Sequence, residues 1–160
     1  MLIECILGNV DNAGSPPGAD IDWIDLTWSQ CVGRAVRGTT RGGRPVRVLL
    51  PIGSPPLRHG DILRSDDEVV IAVNALPTTV LVASIEDSMV AAQVALELGN
   101  LHVPVEIGAA EILALPDGPT EAVFRNYGVR ATTELRRFQP EPCSTKSIPV
   151  RGPAFEIRRG

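Results

Sequence analysis

Histidine is scarce in this chain: His59 and His102 are the two in 160 residues, so a metal centre must be built from few imidazoles. Cysteine is scarce as well. Cys5, Cys31 and Cys143 are odd in number, far apart and form no CxxC pair, which argues against a disulfide framework and against a structural zinc site. No run of about 18 apolar residues occurs, so no membrane-spanning helix is expected. The opening Met1-Leu-Ile-Glu-Cys-Ile-Leu7 lacks a basic n-region and is interrupted by Glu4, so it does not read as a signal peptide and a cytoplasmic protein is expected. No P-loop, Gly-rich dinucleotide loop or nucleophile–base constellation appears, which argues against an enzyme. Positive charge is not in excess. The formal net charge of -4 disfavours a general nucleic-acid binder and leaves cation binding open.

What is present suits a folded α+β protein with a real core: 44% of residues are hydrophobic and 21% charged. The first half reads as β structure. Cys31 to Thr40 and Arg44 to Leu50 are strand-like runs joined by Arg41-Gly-Gly43, a hairpin signal because glycine takes positive φ without a Cβ penalty. Gly60 to Leu63 and Glu68 to Val73, joined by Ser65-Asp-Asp67, suggest a second hairpin. Residues 9–20 are rich in turn formers and read as a long loop. A small all-β domain over 1–75 follows.

After Ala75-Leu76-Pro77 the pattern changes. Thr78 to Ala83 reads as a strand, and Ser84-Ile-Glu-Asp87 as the capped start of a helix. Ile85, Met89, Ala92 and Leu96 lie at helical spacing as its apolar face, with Gly99 as the terminating C′ residue. His102 to Ile107 and Glu111 to Leu115 follow as strands. A helix opened by Gly118-Pro119, with Val123, Phe124 and Tyr127 on its apolar face, ends at Gly128, and Val129 to Phe138 is the last strand. This β-α-β-β-α-β order predicts a ferredoxin-like domain over 78–138. Residues 139–160, with four prolines and little periodic apolar content, are expected to form a flexible tail.

Leu98-Gly-Asn-Leu-His-Val-Pro104 is the most informative stretch. It resembles the Leu-Gly-Asn-Arg-His-x-Pro signature of the UreE family of urease accessory proteins, between the first helix and second strand of a ferredoxin-like domain. Gly60-Asp-Ile-Leu63, Arg44-Pro-Val-Arg-Val-Leu-Leu-Pro51, Glu111-Ile-Leu113 and Arg136-Arg-Phe-x-Pro-Glu141 add to a resemblance running from about Cys31 to Glu141. It implies a nickel metallochaperone that delivers Ni(II) to the accessory GTPase and the urease apoprotein complex. It also implies a homodimer in which the motif histidine, here His102, binds the ion where two metal-binding domains meet. Zinc(II) or copper(II) would suit the same donors in vitro. The chemistry is coherent, because imidazole suits nickel(II) and a two-fold axis turns one histidine per chain into two ligands. An incompletely protein-ligated ion is also one that can be passed on by ligand exchange.

The chain departs from the family pattern in several places. No histidine follows His102, so the histidine-rich storage tail of many members is lacking. Val105, Glu106 and Glu111 stand where members often carry further histidines, and Leu101 stands for the usual arginine. Cys143 is the candidate supplementary ligand of the tail. The competing reading is an interaction scaffold of the same maturation complex with a weakened or absent metal site. His59 reads as an exposed turn residue, and Cys5 and Cys31 as small buried hydrophobes. Arg34, Arg37, Arg41, Arg44 and Arg47 concentrate charge on the first hairpin. A solvated strand face is the preferred reading there, and a docking surface for an acidic partner, in line with the family's peptide- or protein-binding first domain, is the alternative.

Overall fold

The computed structural model describes residues 1–13, 20–66 and 69–140. The N-terminal portion contains β1 (Leu2–Ile3), β2 (Gly8–Asn9), α1 (Val10–Ala13), β3 (Asp20–Leu26), α2 (Trp28–Cys31), β4 (Ala35–Thr39), β5 (Pro45–Leu49), β6 (Asp61–Ser65) and β7 (Val69–Ala75). Its strands form a three-stranded sheet ordered β1-β5-β4 and a four-stranded sheet ordered β2-β6-β7-β3. Alternation along β5 buries Val46 and Val48 and exposes Pro45, Arg47 and Leu49. Ile3, Val36, Val46 and Val48 from the first sheet and Ile24, Leu26, Ile71 and Val73 from the second share one buried cluster. The two sheets therefore close on each other as a small sandwich.

Both predicted hairpins form, β4–β5 around Gly43, whose φ is +83°, and β6–β7. Two details differ from the sequence reading. Cys31 does not start a strand; it ends α2, which Thr27 opens with a capping box completed by Gln30. Second, β3 is a full strand running parallel to β7, where no strand was expected. Its aspartates disguise it, because Asp22 looks like a turn former. Asp22 is in fact buried and paired: Thr40 Oγ1 (2.7 Å), Gly42 N (2.8 Å) and the Arg44 guanidinium all donate to its carboxylate. Burial pushes its pKa up, but these three donors outweigh burial and the net shift is downward.

The C-terminal portion contains β8 (Thr78–Ser84), α3 (Ser88–Asn100), β9 (Val105–Ile107), β10 (Glu111–Ala114), α4 (Gly118–Asn126) and β11 (Ala131–Arg136). The sheet order is β11-β8-β10-β9, antiparallel throughout, which is the ferredoxin-like arrangement. One face of β8 presents Leu81 and Ala83 to α3 and α4, where Val94, Leu98, Val123 and Phe124 fill the core. The other face presents Val80 and Val82, which pack with Leu113, Phe138 and Trp28 of α2. That second cluster joins the two portions of the chain. Arg137 Nε donates to Ala75 O (3.1 Å), and His59 N donates to Gln139 Oε1 (2.8 Å). Gln139 N in turn donates to Glu106 Oε2 (2.6 Å). The expected tail beyond Pro140 lies outside the described residues, and Gln139 at its start is held at both ends.

Candidate metal centre

The start of α3 is set by Asp87, not Ser84: the Asp87 carboxylate accepts from Met89 N (2.8 Å) and Val90 N (3.3 Å), and Ser84 belongs to β8. Its buried face also differs from the one expected. Val94 and Leu98 are buried, with Val90, Ala91 and Ala95 packed beside them. Met89, Ala92 and Leu96 lie on the opposite side and are exposed. The helix is apolar nearly all round, so periodicity alone does not select the stripe that meets the sheet. At one hundred degrees per residue Met89, Ala92, Leu96 and Gly99 form one outer ridge. Met89 and Leu96 are 67% and 66% exposed, and Leu101 beyond them is 46% exposed.

Gly99 does not end the helix. The helix runs on to Asn100, Leu101 is the C-cap, and His102 takes the left-handed C′ position with φ +57°. His102 N donates to Gly99 O (3.0 Å) and Val103 N donates to Leu98 O (3.0 Å), the paired bonds of a Schellman motif. Val103 packs on the core cluster that holds Leu98, completing the motif's apolar contact. Pro104 then favours an extended Val103 and feeds the chain into β9.

Helix α4 ends the same way. Gly128 N donates to Arg125 O (3.1 Å), Val129 N donates to Phe124 O (2.8 Å), and Gly128 has φ +67°. One helix thus places glycine at the left-handed position, where no Cβ penalty arises, and the other places histidine there. His102 is the one non-glycine residue with positive φ among the described residues. Histidine is among the side chains that tolerate this region best, yet the conformation still costs energy that glycine would not pay.

The His102 side chain is exposed at the carbonyl end of a 13-residue helix. That end carries roughly half a negative charge, and no lysine or arginine in the last turn offsets it. A cation bound to the imidazole would be favoured there. Among the described residues no group of three or more His, Cys, Asp or Glu is arranged to hold an ion. Cys143 lies outside the described residues.

His59 is placed elsewhere, in a cleft between the two portions lined by Asn9, Asp11, Asp61, Glu106 and Gln139. It is half-buried, not an exposed turn residue. Its ring stacks on Trp23 with centroids 5.4 Å apart and planes 4° from parallel, and its Nδ1 is buried without a hydrogen-bond partner. Burial lowers its pKa, nearby Arg137 lowers it further, and Asp11 opposes the shift. Of the two cysteines read as buried, Cys31 is so, and burial with nearby Asp61 pushes its thiol up to about 11. Cys5 is exposed, because β1 ends at Ile3 and Cys5 falls in the bend that follows.

The motif singles out His102 in the sequence, whereas the ridge beside it is not evident there. A helix with too many apolar residues for one face was the available signal.

Two family models match the chain: the UreE urease accessory protein N-terminal domain over residues 3–76, and the UreE urease accessory protein C-terminal domain over residues 78–150. Among similar proteins, the urease accessory protein UreE of Lysinibacillus sphaericus is 32% identical over 139 residues, covering 87% of this chain and 93% of that protein. UreE of Halalkalibacterium halodurans is 30% identical over 87% of this chain and 91% of its own length. UreE of Helicobacter pylori strain P12 is 27% identical over 98% of this chain and 94% of its own. With both family models matched in succession along most of its length, the chain belongs to the UreE family of urease accessory proteins.

Proposed function

We propose that this chain, an accessory protein and not an enzyme, carries nickel(II) as cargo between the His102 imidazoles of two protomers. It would hand the ion to the accessory GTPase and the urease apoprotein complex in the cytoplasm. Residues 78–138 hold the metal, and residues 1–75 make partner contacts. The observation that carries the reading is the placement of His102: exposed, held in a left-handed cap, and adjoining an apolar ridge that the described residues leave uncovered. Gly99 supports it further. It is an exposed glycine inside the last helical turn, and apart from its chain neighbours and its own helix backbone no described atom lies within 4 Å of where a Cβ would stand. Such a glycine costs about 0.5–1 kcal/mol relative to alanine and serves no packing purpose within one chain. A close approach of two α3 helices across a two-fold axis gives it one, and brings the two copies of residue 102 together. With two imidazoles and open positions, the ion would be exchangeable. Cys143 is a further proposed ligand, whose thiolate would strengthen the hold.

The second reading, a scaffold of the same maturation complex, is favoured by the lack of a complete ligand group within the described residues of one chain. Equilibrium dialysis against nickel separates the two. The carrier binds about one ion per dimer and loses it in His102→Ala, with Cys143→Ser weakening binding without abolishing it. No binding by the unmodified protein would leave the scaffold.

A further inference from the structure

The five arginines of the first hairpin do not share one environment. Arg41 forks onto Asp25, Nη2 to Oδ1 at 2.7 Å and Nε to both oxygens at 3.2 Å. Arg44 is held by buried Asp22. Arg37 and Arg47 stand apart. They are direct cross-strand partners on the outward face of β4 and β5, both exposed. Neither guanidinium has an ion pair or hydrogen bond among the described residues. Arg47 N donates to Met1 O at 2.9 Å, so its peptide groups face β1 and not β4. The Arg37–Arg47 pair is therefore a non-hydrogen-bonded one, the kind in which opposed side chains come closest. Like charges there are destabilising. Around them the same sheet face exposes Leu2, opposite Arg47 on β1, and Leu49, opposite Ala35 on β4.

We propose that this face of the β1-β5-β4 sheet is a docking site for an acidic segment of a partner protein, whose carboxylates are held by Arg37 and Arg47 and whose aliphatic side chains lie on Leu2 and Leu49. The charge is complementary. Two uncompensated guanidiniums project from a chain whose net charge is -4, and a carboxylate fits the guanidinium fork with two parallel hydrogen bonds. A bound carboxylate also relieves the repulsion that the free protein carries. Other occupants fit less well. The chain's own segment after Pro140 carries Lys146, Arg151, Arg158 and Arg159 against Glu141 and Glu156, so it brings excess positive charge. A second copy docking by this face about a two-fold axis would set arginine against arginine. Nucleic acid calls for a broad basic surface, and here Asp25 and Asp22 neutralise the neighbouring Arg41 and Arg44.

The test is fluorescence anisotropy with a fluorescein-labelled peptide of alternating leucine and glutamate, added to the full chain at low and at physiological salt. The protein binds it, salt weakens the binding, and the double variant Arg37→Glu/Arg47→Glu binds at least about tenfold more weakly. Arg37→Lys/Arg47→Lys, which keeps the charge and loses the fork, binds with intermediate affinity. Arg125→Glu, the charge change of one of these substitutions placed on α4 instead, leaves binding unchanged. The single variant Arg47→Glu replaces a like-charge pair with an opposite one, melts no lower than the parent and still binds the peptide more weakly, which separates lost binding from unfolding. Failure of the parent protein to bind, equal loss in Arg125→Glu, or stronger binding of oligothymidylate or phosphatidylserine vesicles than of the peptide would overturn the proposal. Nickel binding by Arg37→Glu/Arg47→Glu stays at the parent level, so this outcome is independent of the metal reading.

Discussion

Replacing His102 by glycine separates what this residue does for the fold from its proposed part in holding the ion. His102 holds φ +57° at the C′ position of α3, where α4 uses Gly128 for the same pair of hydrogen bonds. The left-handed conformation costs a residue bearing a Cβ about 1–2 kcal/mol. Glycine escapes that cost but loses more backbone entropy on folding, an opposing effect of about 0.4–1 kcal/mol. The balance favours His102→Gly by about 0.5–1 kcal/mol. For a chain of this size that corresponds to a rise in Tm of about 1–4 °C. His102→Val goes the other way, because a β-branched residue is disfavoured most strongly at positive φ. Calorimetric melting of chelator-treated protein measures the stability, and dialysis against nickel measures the ion. The expected result is opposite signs: His102→Gly melts higher and binds no nickel. A glycine variant that melts lower, or one that retains the ion, would refute the reasoning, since the first denies the strained cap and the second denies the ligand.

Two further outcomes follow from the same structure. Because burial and Arg137 lower the His59 pKa, the unfolded chain takes up a proton there before the folded one does, so stability is greatest above about pH 6.5 and declines as pH falls below it. His59→Phe, which keeps a ring on Trp23 and removes the titrating group, flattens that decline in urea titrations between pH 7 and pH 5; an unaltered slope would show that His59 is not its source. The thiol of Cys31, pushed up to about 11, stays protonated near neutral pH, whereas Cys5 is exposed. Iodoacetamide followed by peptide mass mapping should mark Cys5 well before Cys31, and rapid labelling of Cys31 in the folded protein would contradict its burial.

Much of the architecture was legible in the sequence because local chemistry and tertiary packing agree there. Gly43 allows the first hairpin to turn, Gly128 ends α4, and alternation along β5 distinguishes core from surface. Legibility failed where a tertiary partner supplies the meaning. Asp22 looks like a loop residue until Thr40, Gly42 and Arg44 converge on it and make it part of a buried strand. Met89, Ala92 and Leu96 were as good a core face for α3 as Val94 and Leu98, and only the sheet beneath selects between them. At the candidate metal centre, the Gly99-Asn-x-His-x-Pro104 motif singled out His102 but not its backbone state, because Gly99 offered a more conventional helix end than His102. Arg37 and Arg47 were visible as charge, and their direct opposition required the strand register.

The central claim, one imidazole from each of two protomers on a shared ion, is tested most directly by measuring nickel content and mass in solution on the same sample. The expected result is a dimer carrying about one nickel, and a His102→Ala protein from which that nickel is gone. A monomer that binds nickel as well as any dimer, or a His102→Ala dimer that keeps its ion, would contradict it.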